Sequence, residues 1–305
     1  SRPIWRELGN LPMLSENLTS SASIARFGGD DDTALAYADE AYAVAERSDN
    51  LWGRSYALMH SFGVRYDRGD IGTAMAMMRE SVDLAERAGF TAPQVTARSD
   101  LAAAYAYLGD LETAHELAAL AMKVADELQP IARPWAQWAT ALVAFLEGDV
   151  DAAEAILDET DPELLPEPLG SVATVQVPLL RSRIALARGD PEAAIAFARS
   201  VVDRPRRIGN RQLAADVLLA QGRALAAAGR TEEAEAAFRD ARAEAERLGR
   251  RLLLWEILAE LAEITGDEAA RKEARALVHE IADTVEDEGL RRSFLDRTGL
   301  GPWAG

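Results

Sequence analysis

Residues 222–241 read GRALAAAGRTEEAEAAFRDA, and this stretch decides the fold. Gly229 separates two runs of good helix formers, and a glycine accepts the left-handed backbone that ends a helix. Thr231 and the two glutamates after it favour a new helix, because a side-chain cap and first-turn carboxylates suit a helix N-terminus. Small residues at 222, 234 and 241 let both helices approach closely around Phe238. The stretch therefore predicts a helical hairpin that stacks on its neighbours.

The same turn recurs along the whole chain. A glycine followed by Asp or Arg stands at seven places, 37 to 41 residues apart, namely Gly29, Gly69, Gly109, Gly148, Gly189, Gly229 and Gly266. An alanine follows five residues later in the first six units, at Ala34, Ala74, Ala114, Ala153, Ala194 and Ala234. An irregular bundle of alanine-rich helices has no need of a fixed period, so the spacing favours a repeat architecture.

This pattern resembles the tetratricopeptide repeat family, whose units combine small residues in both helices with a Gly-Asp-type turn and an aromatic residue. Besides the quoted stretch, the unit around Gly109 matches well, with Leu101, Ala102, Tyr105, Asp110, Ala114 and Ala121. The period near 40 exceeds the family's usual length of about 34 and is similar to that of the sensor regions of MalT-like bacterial regulators and signal-transduction ATPases. The resemblance covers about residues 12–285. It implies an all-α fold, a right-handed α-solenoid of about seven hairpins plus a C-terminal capping helix.

Three parts are expected along the chain. Residues 1–10 are interpreted as an N-terminal lead-in that caps the first hairpin, residues 11–287 as the solenoid, and residues 288–305 as a C-terminal capping helix and tail. Caps are needed because an end repeat otherwise exposes an apolar face. The prolines at 162, 166 and 168 interrupt the order, since they cannot lie in a continuous helix. The segment around them is predicted to form a hinge or a partner-contacting loop.

Composition argues against several classes of function. The chain has no cysteine, which excludes disulfides, thiolate metal sites and cysteine nucleophiles. Its 51 acidic and 33 basic side chains give a formal charge of -18, which repels nucleic acid and anionic membranes over most of the surface. No apolar run is long enough for a transmembrane helix. We therefore expect a cytoplasmic protein that by itself binds neither nucleic acid nor membrane.

No catalytic pattern occurs in the sequence. The three histidines lie in different hairpins, so they form no zinc-binding pair on one helix. Neither a P-loop nor a nucleophile elbow of the Gly-x-Ser-x-Gly type is present. Three consecutive acids, Asp30 to Asp32, lack the alternate spacing of a calcium loop and are interpreted as a helix cap. The chain is therefore predicted not to be an enzyme and to hold no metal or cofactor.

The repeat numbering locates a candidate binding surface. Positions 13, 10, 9, 6 and 3 residues before each turn glycine share one stripe of the first helix of a unit, and the resemblance implies that this stripe lines the concave groove. Its candidate ligand- or peptide-binding residues are Tyr56, His60, Asp100, Trp135, Trp138, Arg183, Asp216 and Arg223. Apolar walls with sparse polar groups suit a peptide or a small ligand. For the two tryptophans the alternative stays open that their rings belong to the core, since the helix offset is uncertain by a position or two.

These features favour a non-catalytic scaffold for a protein or peptide partner, as the repeat region of a larger bacterial regulatory protein. Within the groove, Arg183 and Arg223 are expected to pair bidentately with a carboxylate of the partner. The alternative, which the resemblance to regulator sensor regions allows, is a small-molecule effector-sensing domain of a transcriptional regulator or signalling ATPase.

Overall fold

The computed structural model describes residues 2–128, 130–160, 175–203 and 209–299. Within these ranges the chain is all-α and contains no strand. A short helix, α1 (Arg2–Glu7), precedes seven helical hairpins, and α16 (Glu288–Arg297) follows them. The hairpins, numbered one to seven, are α2 (Leu11–Gly28) with α3 (Asp31–Arg47), α4 (Leu51–Asp67) with α5 (Ile71–Ala88), α6 (Thr91–Tyr107) with α7 (Leu111–Leu128), α8 (Arg133–Leu146) with α9 (Val150–Asp158), α10 (Val177–Ala187) with α11 (Pro191–Ser200), α12 (Ala214–Ala227) with α13 (Thr231–Arg247), and α14 (Arg251–Thr265) with α15 (Glu268–Ala282).

The turn inside each hairpin is left-handed. All seven repeat glycines have positive φ angles, between 71° and 90°. In five hairpins the aspartate after the glycine caps the next helix, as where the Asp30 carboxylate accepts a hydrogen bond from the Thr33 amide at 3.2 Å. Asp149 and Asp190 do the same in hairpins four and five. Asp70 and Arg230 make no such side-chain cap. The acids at Asp30 to Asp32 thus lie at a helix start, and the described residues contain no cluster that could hold a metal ion.

Close helix packing within a hairpin depends on small residues facing a large one. In hairpin six a Cβ atom at Gly222 would overlap the ring of Phe238, which is completely buried. Ala234 and Ala241 on the same helix as Phe238 are also completely buried. The quoted stretch therefore packs as its spacing predicts, with the phenylalanine ring filling the space that the glycine leaves open.

The superhelix is tight enough for its successive turns to touch. Hairpin one contacts hairpin six, hairpin two contacts hairpin seven, and hairpin three contacts α16. We call this contact the seam; it joins the turns at Gly29, Gly69 and Gly109 to residues 211–212, 247–251, 281–285 and 293–297. At its centre the Thr284 hydroxyl donates to the Gly69 carbonyl at 3.0 Å and accepts from the Ile71 amide at 3.0 Å.

The seam belongs to the largest hydrophobic core. That core runs through hairpins two to five and also includes Leu277, Ile281 and Phe294 from α15 and α16. A second core around Phe238 joins hairpins five to seven. Residues more than 200 positions apart thus share one buried cluster, so the seam is a packed interface.

Two expectations from the sequence remain predictions. The loop predicted around Pro162, Pro166 and Pro168 lies outside the described residues, and the division into lead-in, solenoid and cap stays a prediction. In the described ranges no helix combines the length and the apolar character needed to cross a bilayer.

Candidate functional site

A cavity of about 210 Å³ lies inside the superhelix, between hairpins four to seven and the ends of α4 and α6. Its wall is mostly apolar and includes the side chains of Trp138, Leu142, Leu179, Leu180, Leu186, Leu219, Leu252, Leu253, Trp255 and Phe294. Four arginines and three carboxylates complete it, namely Arg183, Arg223, Arg250, Arg297, Asp67, Asp216 and Glu256. The cavity wall therefore combines apolar contact area with several charged groups that could orient a ligand.

Arg223 is held by two glutamates of the next hairpin. Its Nη2 donates to Glu256 at 2.8 Å and its Nε donates to Glu260 at 2.6 Å. Burial alone would lower the pKa of Arg223, but the two carboxylates raise it above its usual range. The sequence predicts that Arg223 pairs with a carboxylate of a partner. In the structure, both carboxylates that contact Arg223 belong to α14 of the same chain.

Arg250 bridges the seam at the edge of the cavity. It is only 9% exposed, and its guanidinium donates to Asp216 of hairpin six and, at 3.2 Å, to Asp67 of hairpin two. A further bond from Nη1 reaches the Gln212 carbonyl at 2.6 Å. Asp216, a predicted groove residue, is therefore engaged by an internal cation. The pair fixes two successive turns of the superhelix to each other.

Arg183 and Arg297 are arranged differently, since both contact an aromatic ring. Arg183 donates to the Tyr107 hydroxyl at 3.2 Å, and its Cζ lies 4.9 Å from the centre of the Phe145 ring. Arg297 donates to the Ala106 carbonyl at 3.1 Å, and its Cζ lies 5.4 Å from the centre of the Tyr107 ring. Neither arginine forms an ion pair with any carboxylate of the described ranges. Cation–π contacts hold both guanidinium groups without neutralising them.

The structure brings four of the eight predicted groove residues to this cavity: Trp138, Arg183, Asp216 and Arg223. Trp138 is 8% exposed and belongs to the largest core as well as to the cavity wall. The Trp138 ring therefore lies in the core and in the cavity wall at the same time. Trp135 does not line the cavity; it is half-buried and packs against the cores of hairpins three and four.

The other three predicted residues lie on the inner face of hairpins two and three, away from the cavity. Tyr56 packs on Trp52, with ring centres 4.5 Å apart, and burial raises the pKa of its hydroxyl. Burial, together with the nearby charge of Arg26, lowers the pKa of His60 to about 4. Burial also raises the pKa of Asp100 to about 6, although Arg26 opposes this shift. His60 and Asp100 form no hydrogen bond or ion pair with another described residue.

Arg26 is the charged group that acts on both His60 and Asp100. Its guanidinium lies directly on Gly63, where a Cβ atom would overlap it, and it reaches the Asp67 carboxylate at 3.4 Å. The same stripe rule finds this arginine when it is extended to hairpin one, since Arg26 lies three residues before Gly29. Extended to hairpin seven, the rule also gives Glu256 and Glu260. Arg250 and Arg297 lie outside the stripe, so the repeat numbering carries no signal for them.

Comparison with known proteins agrees with this architecture. The profile of the tetratricopeptide repeat family matches residues 134–159 and 179–200, in hairpins four and five. Among solved structures, a Rap protein complexed with Competence and Sporulation Factor is similar over 95% of this chain and 96% of that chain, with a TM-score of 0.61 and 13% identity. The apo form of the quorum sensor NprR from B. thuringiensis, at 13% identity, covers 92% of each chain with a TM-score of 0.48. Yeast Tom70, at 14% identity, covers 96% of this chain and 71% of its own with a TM-score of 0.46.

No curated protein matches the chain significantly. At 13% identity the likeness to the Rap structure shows the fold alone. The family profile shows tetratricopeptide repeats in hairpins four and five, and the other hairpins continue the same regular spacing.

Proposed function

We propose that the chain is a non-catalytic scaffold that binds a segment of a peptide or protein partner inside the superhelix. The observation that carries this proposal is the cavity, whose wall combines aromatic and aliphatic side chains with charged groups and is held on several helices. Rigid aromatic side chains supply contact area at a small entropic cost, which is why they dominate binding surfaces. A Rap protein of similar fold is known in complex with a factor, and the proposal extends ligand binding to this chain.

The size of the cavity limits what enters it. About 210 Å³ is less than the roughly 300–1,000 Å³ of sites for drug-sized ligands. Because successive turns of the superhelix touch, a folded domain has no room between them. The proposed ligand therefore inserts one or two side chains of an extended segment.

A variant that fills the cavity tests the proposal. Ala220 lines the wall on α12, so Ala220→Phe occupies the space that the ligand needs. Ala236→Phe on the exposed side of α13 is the matched control. A library of short peptides is screened against the unaltered protein by isothermal titration. We expect Ala220→Phe to abolish binding of the selected peptides and Ala236→Phe to preserve it. Normal binding by a folded Ala220→Phe variant would contradict the proposal.

The small cavity volume also favours a second candidate, the binding of a small-molecule effector. A thermal-shift screen with a metabolite library separates the two, because a ligand that binds only the folded state raises the melting temperature with its concentration. A saturable rise with one metabolite, which Ala220→Phe removes and Ala236→Phe keeps, supports the sensor. A peptide hit without such a metabolite supports the scaffold.

The proposal includes the role expected from the family resemblance, that of the repeat region of a larger bacterial regulatory protein. Its test is the sequence that flanks this region in the full-length protein. A nucleotide-binding P-loop or a DNA-binding motif there would agree with a regulator, and a complete protein without a further domain would contradict this part of the proposal.

A further inference from the structure

We infer that the cavity recognises a carboxylate, which binds between Arg183 and Arg297 with an apolar group beside it. This inference rests on the proposed function, since it names the chemistry of the ligand that the same cavity binds. It also sharpens the sequence expectation for Arg183 and adds a second arginine, from α16, that the sequence does not indicate.

The first argument is that one tyrosine ring brings the two cations together. The Tyr107 ring lies 5.8 Å from Cζ of Arg183 and 5.4 Å from Cζ of Arg297. Each guanidinium makes a single hydrogen bond to a described residue, to the Tyr107 hydroxyl and the Ala106 carbonyl respectively. An arginine has several further N–H donors in a planar fork. Most donors of this pair are therefore available to a ligand.

The second argument is the charge of the cavity wall. Its four arginines face three carboxylates, although the chain as a whole carries a formal charge of -18. Asp67 and Asp216 contact Arg250, and Glu256 contacts Arg223. Burial would raise the pKa of Glu256, but Arg223 chiefly, with Arg183 and Arg297 at longer range, holds the pKa below its usual value. The internal acids are thus engaged by Arg223 and Arg250, and the two positive charges of Arg183 and Arg297 have no ion-pair partner among the described residues.

Glu256 already compensates part of the charge of Arg183 and Arg297 at longer range, so a singly charged carboxylate suits this pair better than a doubly charged phosphate. A carboxylate also accepts two parallel hydrogen bonds from a guanidinium fork, which gives it a fixed orientation. Trp138, Leu142 and Phe294 line the same cavity, so the atoms attached to the carboxylate are apolar. The matching group is the free C-terminus of an apolar peptide, an acidic side chain within one, or a small apolar acid.

The net charge of the chain further restricts which ligands fit. A ligand with several negative charges would be repelled at long range by the acidic surface, whereas a ligand with one carboxylate would lose little affinity to this repulsion. We therefore expect apolar peptides with one carboxylate to bind better than acid-rich peptides. Salt should change the affinity only modestly, because it screens the long-range repulsion together with the attraction inside the cavity.

The test uses four forms of one library of acetylated apolar tetrapeptides. These carry a free C-terminal carboxylate, a C-terminal amide, an amide with one internal glutamate, or an amide with one internal phosphoserine. Binding to the whole chain is measured by titration calorimetry. We expect binding of the first form, the third form or both, which also identifies the source of the carboxylate, and no binding of the neutral amides.

Three variants assign the binding to the arginine pair. Arg183→Gln and Arg297→Gln should each weaken carboxylate binding roughly ten- to hundredfold, the value of a charged hydrogen-bonded contact, and Arg183→Lys should restore part of it. Arg188→Gln is the control, because its exposed guanidinium pairs with Asp151 and Glu154 on the outer side. Melting temperatures should stay close to that of the unaltered protein, since neither Arg183 nor Arg297 has an internal ion pair to lose.

Four outcomes would overturn the inference. If neutral amides bind as well as acids and Ala220→Phe still abolishes their binding, the carboxylate is wrong while the proposed function stands. If phosphoserine peptides bind best, the anion is a phosphate. If both Gln variants melt several degrees lower and bind normally, the arginines serve the fold. If no peptide of any form binds, the proposed function fails together with the inference.

Discussion

Ionisable side chains lie on the inner faces of hairpins two and three and of hairpins six and seven, yet the two regions partner these side chains in opposite ways. In hairpins six and seven, Arg223 and Arg250 each contact two carboxylates. In hairpins two and three, the half-buried side chains of His60 and Asp100 have no such partner among the described residues. A repeat position therefore fixes where a side chain points, whereas its neighbours from other hairpins decide whether its charge stabilises the fold or opposes it.

Removal of Arg250 should have the largest effect. Arg250→Met keeps most of the side-chain length but leaves Asp216 without a cation and Asp67 with Arg26 alone, and breaking one partner of a buried ion pair costs about 3–5 kcal/mol. Arg251→Met is the control, because its pair with Glu280 is largely exposed and such pairs contribute about 1 kcal/mol or less. Urea denaturation at neutral pH measures both. If both variants lose the same small amount of unfolding free energy, the ion pairs of hairpins six and seven stabilise the fold no more than a surface pair does.

Asp100→Asn should stabilise the protein at neutral pH. The pKa of Asp100 rises from 3.8 to about 6 on folding, so the folded state holds a proton that the unfolded state releases, and stability falls as pH rises through this window. The substitution removes this cost and should add about 2–3 kcal/mol at pH 7, and nothing below about pH 4. Asp39→Asn, at an exposed site of α3, is the control. A loss of stability at pH 7 would mean that Asp100 has a partner.

His60→Gln should have the smallest effect at neutral pH and a clear one in acid. The pKa of His60 falls from 6.5 to about 4 on folding, so its neutral form contributes stability above pH 6.5 that is lost as pH falls toward 4. The pH dependence of stability that His60 causes is opposite in sign to that of Asp100. The two contributions should therefore nearly cancel in the unaltered protein. In His60→Gln the stability should fall as pH rises from 4 to 6, by up to about 1.4 kcal/mol per pH unit.

Asp100→Asn should show the reverse slope over the same range, because His60 then titrates alone. Denaturation curves at half-unit pH steps measure both profiles, with His279→Gln at an exposed site of α15 as the control. Identical profiles in all variants would mean that neither group changes its pKa on folding, and the comparison between the two inner faces would lose its basis.

The sequence predicts the part of the structure that depends on local order. A glycine every 37 to 41 residues specifies the hairpins, and the stripe counted back from it places Trp138, Arg183, Asp216 and Arg223 in the cavity wall. Extended to the first and last hairpins, the stripe also identifies Arg26, Glu256 and Glu260, two of which are the partners of Arg223.

The pairing of hairpins across the seam could not be predicted in this way. It follows from the sum of small rotations between successive hairpins, and no single residue specifies that sum. Arg250 and Arg297 act through this pairing from positions outside the stripe. For the same reason the sequence could not decide between groove and core for Trp138, because a superhelix this tight makes one surface serve as both.

The bond between the Thr284 hydroxyl and the Gly69 carbonyl spans 215 residues of chain. In an open repeat array each unit contacts only its sequence neighbours, so end units can fray or be deleted one at a time. Here the loss of the last hairpin would also uncover hairpin two, and truncation should destabilise both halves of the molecule at once. Contacts of such long sequence separation also form slowly, since loop-closure entropy precedes them. Local hairpins should therefore appear early in folding, and docking across the seam should complete a single cooperative transition.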